Sequence, residues 1–295
     1  MSELPVRLFA LEQVFEEYDK SQSELTRYFP VALIACVEGY FRIAIKDLVD
    51  SGDPYLSNAG KPASSLKIDF SILRAVHGKA ITVGELVAHG IPLSRLDYID
   101  GALTILIGKG FLEALRTTTD RWAHEVKGEQ ASPILADPDR VFSDVARTFE
   151  LRHIICHEIA SAYEIEADEV ARCFQSCVAF LRTADEFISE TLHPGAPMTQ
   201  TDMNIAAGES LSEARCRLED ASEKVKQHLN TTELAAFNES QSKWEAYSKA
   251  WVAFVAGERS SSGTIWPLIA AEVAEEMVNR RIEEISCWRR LGDGL

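Results

Sequence analysis

Glycine and proline are scarce in this sequence, 16 and 10 among 295 residues, and long stretches contain neither. A strand-and-turn architecture needs those residues at its corners, so their scarcity argues for an all-α fold. The six cysteines form no C-x-x-C pair, and their spacing fits no zinc motif. Cys173 and Cys177, one helical turn apart, read as small buried thiols, and reduced thiols agree with a reducing compartment. No apolar run reads as long enough to span a bilayer. The opening segment, MSELPVRLFALEQVFEEYDK, carries acidic residues where a signal peptide has a basic start and an apolar core. The expected location is therefore the cytoplasm, with no membrane association. Positive charge is also short: 30 Lys and Arg stand against 46 Asp and Glu, a net charge of −16. Phosphate contacts need Lys and Arg, so any nucleic-acid site must be a local patch or be completed by a second subunit.

The 46% of hydrophobic residues is ample for a packed core. Residues 31–49 carry the helical stripe Val31, Ile34, Val37, Phe41, Ala44, Ile45 and Leu48. A Gly-, Pro- and Ser-rich stretch follows. A block of short helices, kept short by glycines at 84, 90, 101, 108 and 110, then spans about 66–117. Long helices are expected over 137–163 and from near Glu166 to about Leu192. Asp137 or Asp139 is the N-cap of the first, with Pro138 in its first turn. HPGAPMTQTD, at 193–202, is the clearest linker, and two or three further helices fill 201–291, the last set off by SSSG at 260–263. The chain thus reads as two helical domains, 1–195 and 196–295.

Chemistry concentrates on the helix over 137–163. Phe142, Val145, Phe149, Cys156, Ile159 and Tyr163 follow three- and four-residue steps, and Arg152 falls in the middle of that stripe. A buried guanidinium costs several kcal/mol unless paired, so a partner is expected. Glu38, inside the apolar stripe of the 31–49 helix, is the candidate; a structural ion pair or exposure at the helix margin would serve as well. His153 and His157 are four apart and share one face. Histidine suits general acid–base work near neutral pH, and arginine suits phosphate. The same two histidines could instead be an i,i+4 metal pair with a carboxylate. The chain has no H-E-x-x-H and no further ligand cluster, so neither a metal nor a cofactor is expected.

The segment RHIICHE resembles the signature of HEPN domains, an arginine followed after four to six residues by a histidine, late in a helical bundle. Arg152 and His157 fit with four residues between; Arg147 and His153 also fit, with five. The early helix with its Glu38, the block ITVGELVAHGIPLSRLDYIDGALTILIGKGF and the long helices after it resemble HEPN domains of the RiboL-PSP kind, over about 30–192. The resemblance implies metal-independent RNA cleavage by attack of the ribose 2′-hydroxyl on the adjacent phosphate. His157 would be the acid or base, Arg152 would stabilise the transition state, and two protomers would share one cleft. Asn often follows the arginine in the family; His153 stands there in this chain, either sharing in catalysis or replacing a supporting polar group. HEPN domains also include inactive scaffolds that bind a protein or RNA partner.

Residues 198–291 resemble a second family, the LprI-like domain named for a lysozyme-inhibitor lipoprotein. Gln241, Trp244 and Tyr247 match its Q-x-x-W-x-x-Y core; Gly263, Thr264, Ile265, Arg280 and Arg281 match the later part. Phe237, Trp244, Trp251 and Val255 are expected to be core residues at helical spacing. Secreted members carry cysteines in the first and last helices; the corresponding neighbourhoods of this chain, MNIAAG and AAEVAEE, have none. The resemblance therefore implies a sensor, partner-binding or regulatory role rather than lysozyme inhibition.

Overall fold

The computed structural model describes residues 3–65, 81–157, 165–257 and 263–292. The all-α expectation holds: among the described residues there is no strand, only an isolated bridge between Thr119 and Pro133. The chain divides into two compact units, residues 1–195 and 196–295.

In the first unit, α1 (Glu3–Glu17) leads to α2 (Ser23–Asp50), the central helix. The short α3 (Tyr55–Asn58), α4 (Val83–Gly90), α5 (Leu96–Ile107) and α6 (Phe111–Leu115) follow, then the long α7 (Pro138–His157) and α8 (Ala167–Leu192). Helix α2 packs against α4, α7 and α8. Its stripe behaves as the spacing predicts: Ile34, Val37, Phe41, Ala44, Ile45 and Leu48 are all buried, and Val31 is half-buried. The helix starts eight residues before 31 and includes Pro30, whose ring gives up one backbone donor but whose side chain is buried in the core.

By length and composition α2 could cross a membrane, which corrects the expectation that no run is long enough. Its most apolar window has a mean hydropathy of 1.5 and is 61% buried inside the unit. That surface is already covered by the neighbouring helices. Phe15, Phe29 and Phe174 stack at one end of the core, and Phe41, Phe111 and Phe180 meet edge-on or tilted farther along.

Two local devices fix the short elements. The Thr82 hydroxyl accepts from the Glu85 N–H and starts α4. Gly108, at φ +78°, ends α5 in the left-handed conformation, where its N–H reaches the Thr104 carbonyl. Gly84 has a different task from the one its sequence position suggests. It brings α4 against α2 so closely that a Cβ there would lie 2.3 Å from the Lys46 carbonyl oxygen. The FSILRAV segment and residues 158–163 lie outside the described residues.

In the second unit α9 (Gln200–Lys226), α10 (Thr231–Ala256) and α11 (Trp266–Gly292) are long helices. α9 packs along α11, and α10 packs on α11 as well. A capping box between Asn230 and Glu233 starts α10.

Candidate functional site

The last two turns of α7 carry the candidate residues, and burial falls away along them. Leu151 is buried, Arg152 is half-buried, and His153, Cys156 and His157 are exposed. The buried face of α7 is Val141, Asp144, Val145, Thr148, Phe149 and Leu151. It is rotated from the stripe expected over Phe142, Phe149 and Cys156, because two polar residues take the inner positions. Arg152 therefore stands at the margin of the apolar face, where its guanidinium reaches water.

The expected Glu38–Arg152 pair is corrected on the same ground. α2 and α7 do pack, yet no ion pair joins these two residues among the described residues. Glu38 is half-buried at the edge of its own stripe, so neither charge is trapped without solvent. The buried charge on α7 is Asp144, 6% exposed. Its carboxylate accepts from Arg172 Nε at 3.0 Å and from the Ser176 hydroxyl at 2.8 Å, both on α8. The Thr148 hydroxyl donates to the Asp144 carbonyl at 2.7 Å. Sequence reasoning missed this network, although the four-residue step from Asp144 to Thr148 on one face was visible.

Arg147 and Arg152 are treated differently by the fold. Arg147 is held by Glu169 at 2.8 Å and by Glu150 at 2.9 Å, tying α7 to α8. Arg152, His153 and His157 make no hydrogen bond or ion pair among the described residues. The His153 and His157 rings lie 5.0 Å apart, centroid to centroid, and are tilted by 46°. Arg152 and His153 line an open groove of about 950 Å³ between α7 and the start of α5. Arg95, Asp97 and Asp100 line the opposite side. Arg95 bonds Asp97 at 2.9 Å and lies over the Tyr98 ring. The Asp100 carboxylate is turned inward, accepting from the Leu112 N–H at 3.1 Å and from the Thr104 hydroxyl at 3.3 Å. The groove thus offers two arginines, of which Arg152 has no partner among the described residues, and the exposed His153 imidazole. Such a set can hold a phosphate and move a proton. Among the described residues no three His, Cys, Asp or Glu are arranged to hold a metal ion.

The second unit has its own polar centre. Arg281 Nε donates to the Gln241 side-chain oxygen at 2.7 Å, and the same guanidinium reaches the Ser240 hydroxyl at 2.9 Å and Glu284 at 2.8 Å. The Gln241 amide donates in turn to the Ser222 hydroxyl at 3.0 Å, and the Arg281 guanidinium stands over Trp244. Gln241 and Trp244 therefore lock all three helices through one arginine. Arg280 instead points outward to Glu276. Tyr247 and Trp251 are 59% and 43% exposed, which corrects the placement of Trp251 in the core. Phe237, Trp244 and Val255 are half-buried.

Residues 193–285 match the family described as lysozyme inhibitor LprI. The chain thus carries an LprI-like domain, and Gln241, Trp244 and Arg281 lie within it. No HEPN family model matches. No curated protein and no solved structure matches the chain.

Proposed function

We propose that the first unit is a HEPN-type endoribonuclease that cleaves RNA without a metal, working in the cytoplasm as a homodimeric toxin or phage-defence effector that the LprI-like unit governs through a protein partner. The observation that carries this reading is the contrast between Arg147 and Arg152 on α7. Arg147 is fixed in a carboxylate clasp, whereas Arg152 and His157 stay open to solvent beside a groove. Of the two arginine–histidine spacings in the sequence, only the one from 152 to 157 leaves both members free for a substrate.

In the proposed reaction His157 takes the proton from the ribose 2′-hydroxyl. The oxygen attacks the adjacent phosphorus, and the bond to the 5′-oxygen breaks as that oxygen takes a proton from water, leaving a 2′,3′-cyclic phosphate and a 5′-hydroxyl; His157 then releases its proton to solvent. Arg152 stabilises the charge that builds on the phosphoryl oxygens. At about 100° per residue, side chains five apart on one helix point roughly 140° away from each other. A dimer supplies the complementary member from a second subunit. Arg95 adds a second guanidinium to the groove; its exposed pair with Asp97 is worth no more than about 1 kcal/mol, so a phosphate can compete for it. The positive groups are local, as a chain of net charge −16 requires. Cys36, Cys156, Cys173, Cys177 and Cys216 are free thiols, which suits a reducing compartment. His153 is the supporting polar group beside them.

Incubation with a mixed-sequence RNA in EDTA, followed by end-group analysis, tests the chemistry. Cyclic phosphate ends are expected, and a substrate with a 2′-deoxy sugar at the scissile position should resist. Hydrolytic 3′-hydroxyl ends, or cleavage abolished by EDTA, would contradict the reading.

A further inference from the structure

We propose that His153 and His157 form a two-imidazole clip for a divalent transition ion of the zinc–nickel–copper group, and that a bound ion withdraws His157 from proton transfer. The positions are four apart on α7 and share one helix face. Both side chains are exposed, so an ion reaches them from solvent. Two imidazoles bound to one Zn²⁺ at about 2.1 Å, with about 90–110° between the bonds, place their ring centroids roughly 4.6–5.3 Å apart. The observed separation is 5.0 Å. The ring spacing is thus compatible with both imidazoles binding one ion.

Two other histidines of the same unit, His89 and His124, are engaged elsewhere. His89 faces the Arg42 guanidinium at 3.5 Å, and the His124 ring stands 3.0 Å from the Glu129 carbonyl. His153 and His157 have no such partner among the described residues. Imidazole nitrogen favours zinc, nickel and copper, whereas magnesium and calcium take oxygen ligands. No third side chain completes the set among the described residues, so water fills the remaining positions. An ion held by two ligands exchanges, which fits a reversible regulator rather than a structural centre. Occupation of His157 rests on the ring spacing and exposure of the pair. Its consequence, loss of RNA cleavage, rests on the function proposed above.

The test uses untagged full-length protein. Calorimetric titration with Zn²⁺ in a non-chelating buffer should show one ion per chain, and Cu²⁺ bound at one equivalent should give an electron paramagnetic resonance spectrum of ligation by two imidazole nitrogens. His153→Gln and His157→Gln should each weaken binding at least tenfold, while His124→Gln leaves it unchanged. Absence of saturable binding, or equal weakening by His124→Gln, would overturn the clip. RNA cleavage in the same samples is read separately, with inhibition by Zn²⁺ and recovery on adding EDTA as the expected result. Saturable binding to a protein that cuts no RNA would keep the clip and remove the nuclease; cleavage by a protein that binds no ion would do the reverse.

Discussion

Gly84→Ala should destabilise the first unit far more than its position in a short helix suggests. A methyl group at 84 would sit 2.3 Å from the Lys46 carbonyl oxygen and 2.7 Å from the Asp50 carboxyl carbon. A carbon normally approaches a carbonyl oxygen no closer than about 3.3 Å, so α4 must retreat from α2 by roughly 1 Å. Retreat also pulls the Gly84 N–H away from Asp50 Oδ1, which it meets at 2.8 Å. Val87 and Ala88, both buried on α4, would be drawn out of the core. Overpacking costs about 1–3 kcal/mol, and losing a hydrogen bond to a charged group about 1.5–3 kcal/mol. The sum, roughly 2.5–6 kcal/mol, is a large part of the stability of a typical domain, about 5–15 kcal/mol. For a unit of this size each kcal/mol moves the melting temperature by about 2–4 °C, so a fall of roughly 5–24 °C is expected. Gly39→Ala is the control. It lies inside α2 with nothing within 4 Å of an added Cβ, and should stabilise by about 0.5–1 kcal/mol through helix propensity. Differential scanning calorimetry of the full chain measures both. A Gly84→Ala transition within about 1 °C of the parent, or shifts of the same sign in the two variants, would refute the packing argument.

Asp144→Ala should cost about 1–3 kcal/mol in urea denaturation, because it strands the Ser176 hydroxyl, which is 3% exposed. A double-mutant cycle with Ser176→Ala should show coupling near 1 kcal/mol, and additive single effects would contradict the network. Burial pushes the Asp50 carboxyl up, but the Thr82 hydroxyl, the Gly84 N–H and the Lys46 ammonium outweigh it and hold it below the usual carboxylate range. A depressed folded-state value stabilises above the unfolded pKa of about 3.9 and is lost as pH falls through the folded one. Asp50→Asn should therefore flatten the acid limb of the stability–pH curve below about pH 4, and an unchanged limb would rule the contribution out. Cys156, Cys216 and Cys287 are exposed, whereas Cys36, Cys173 and Cys177 are buried, the Cys177 thiol pushed up to about 12 by burial. A chromogenic thiol reagent should titrate three thiols quickly in the native state and the other three only on unfolding; six fast thiols would contradict the packing.

The helical class, the stripe of α2 and the span of α8 were legible because apolar side chains recur at helical steps, and a helix buried on one face must show that rhythm. The orientation of α7 was not legible. Hydropathy counts Asp144 and Thr148 as outward residues, yet partners on α8 and the helix backbone satisfy them, so they turn inward and carry Arg152 to the margin. Glu38 was misjudged for a related reason: an acidic residue at the edge of a stripe looks buried on a wheel and is half-exposed in the bundle. Gly84 read as a helix shortener because close approach depends on a neighbour 34 residues earlier. In the second unit Gln241 and Trp244 stood out in the sequence, but the Arg281 that joins them is 40 residues away. The exposure of Trp251 follows from the loose seating of α10, where only Ala256 is fully buried.

The central claim is that Arg152 and His157 cut RNA. The most direct measurement compares single-turnover cleavage of a labelled RNA, in EDTA, by the parent protein, Arg152→Ala, His157→Ala and Arg147→Ala, with circular dichroism to establish that each is folded. Loss of general acid–base catalysis typically costs about 10²–10⁴-fold in rate. The account predicts losses of that order for Arg152→Ala and His157→Ala in folded protein, and far smaller loss for Arg147→Ala. RNA left intact by the parent, or cleaved equally by parent and His157→Ala, would contradict it.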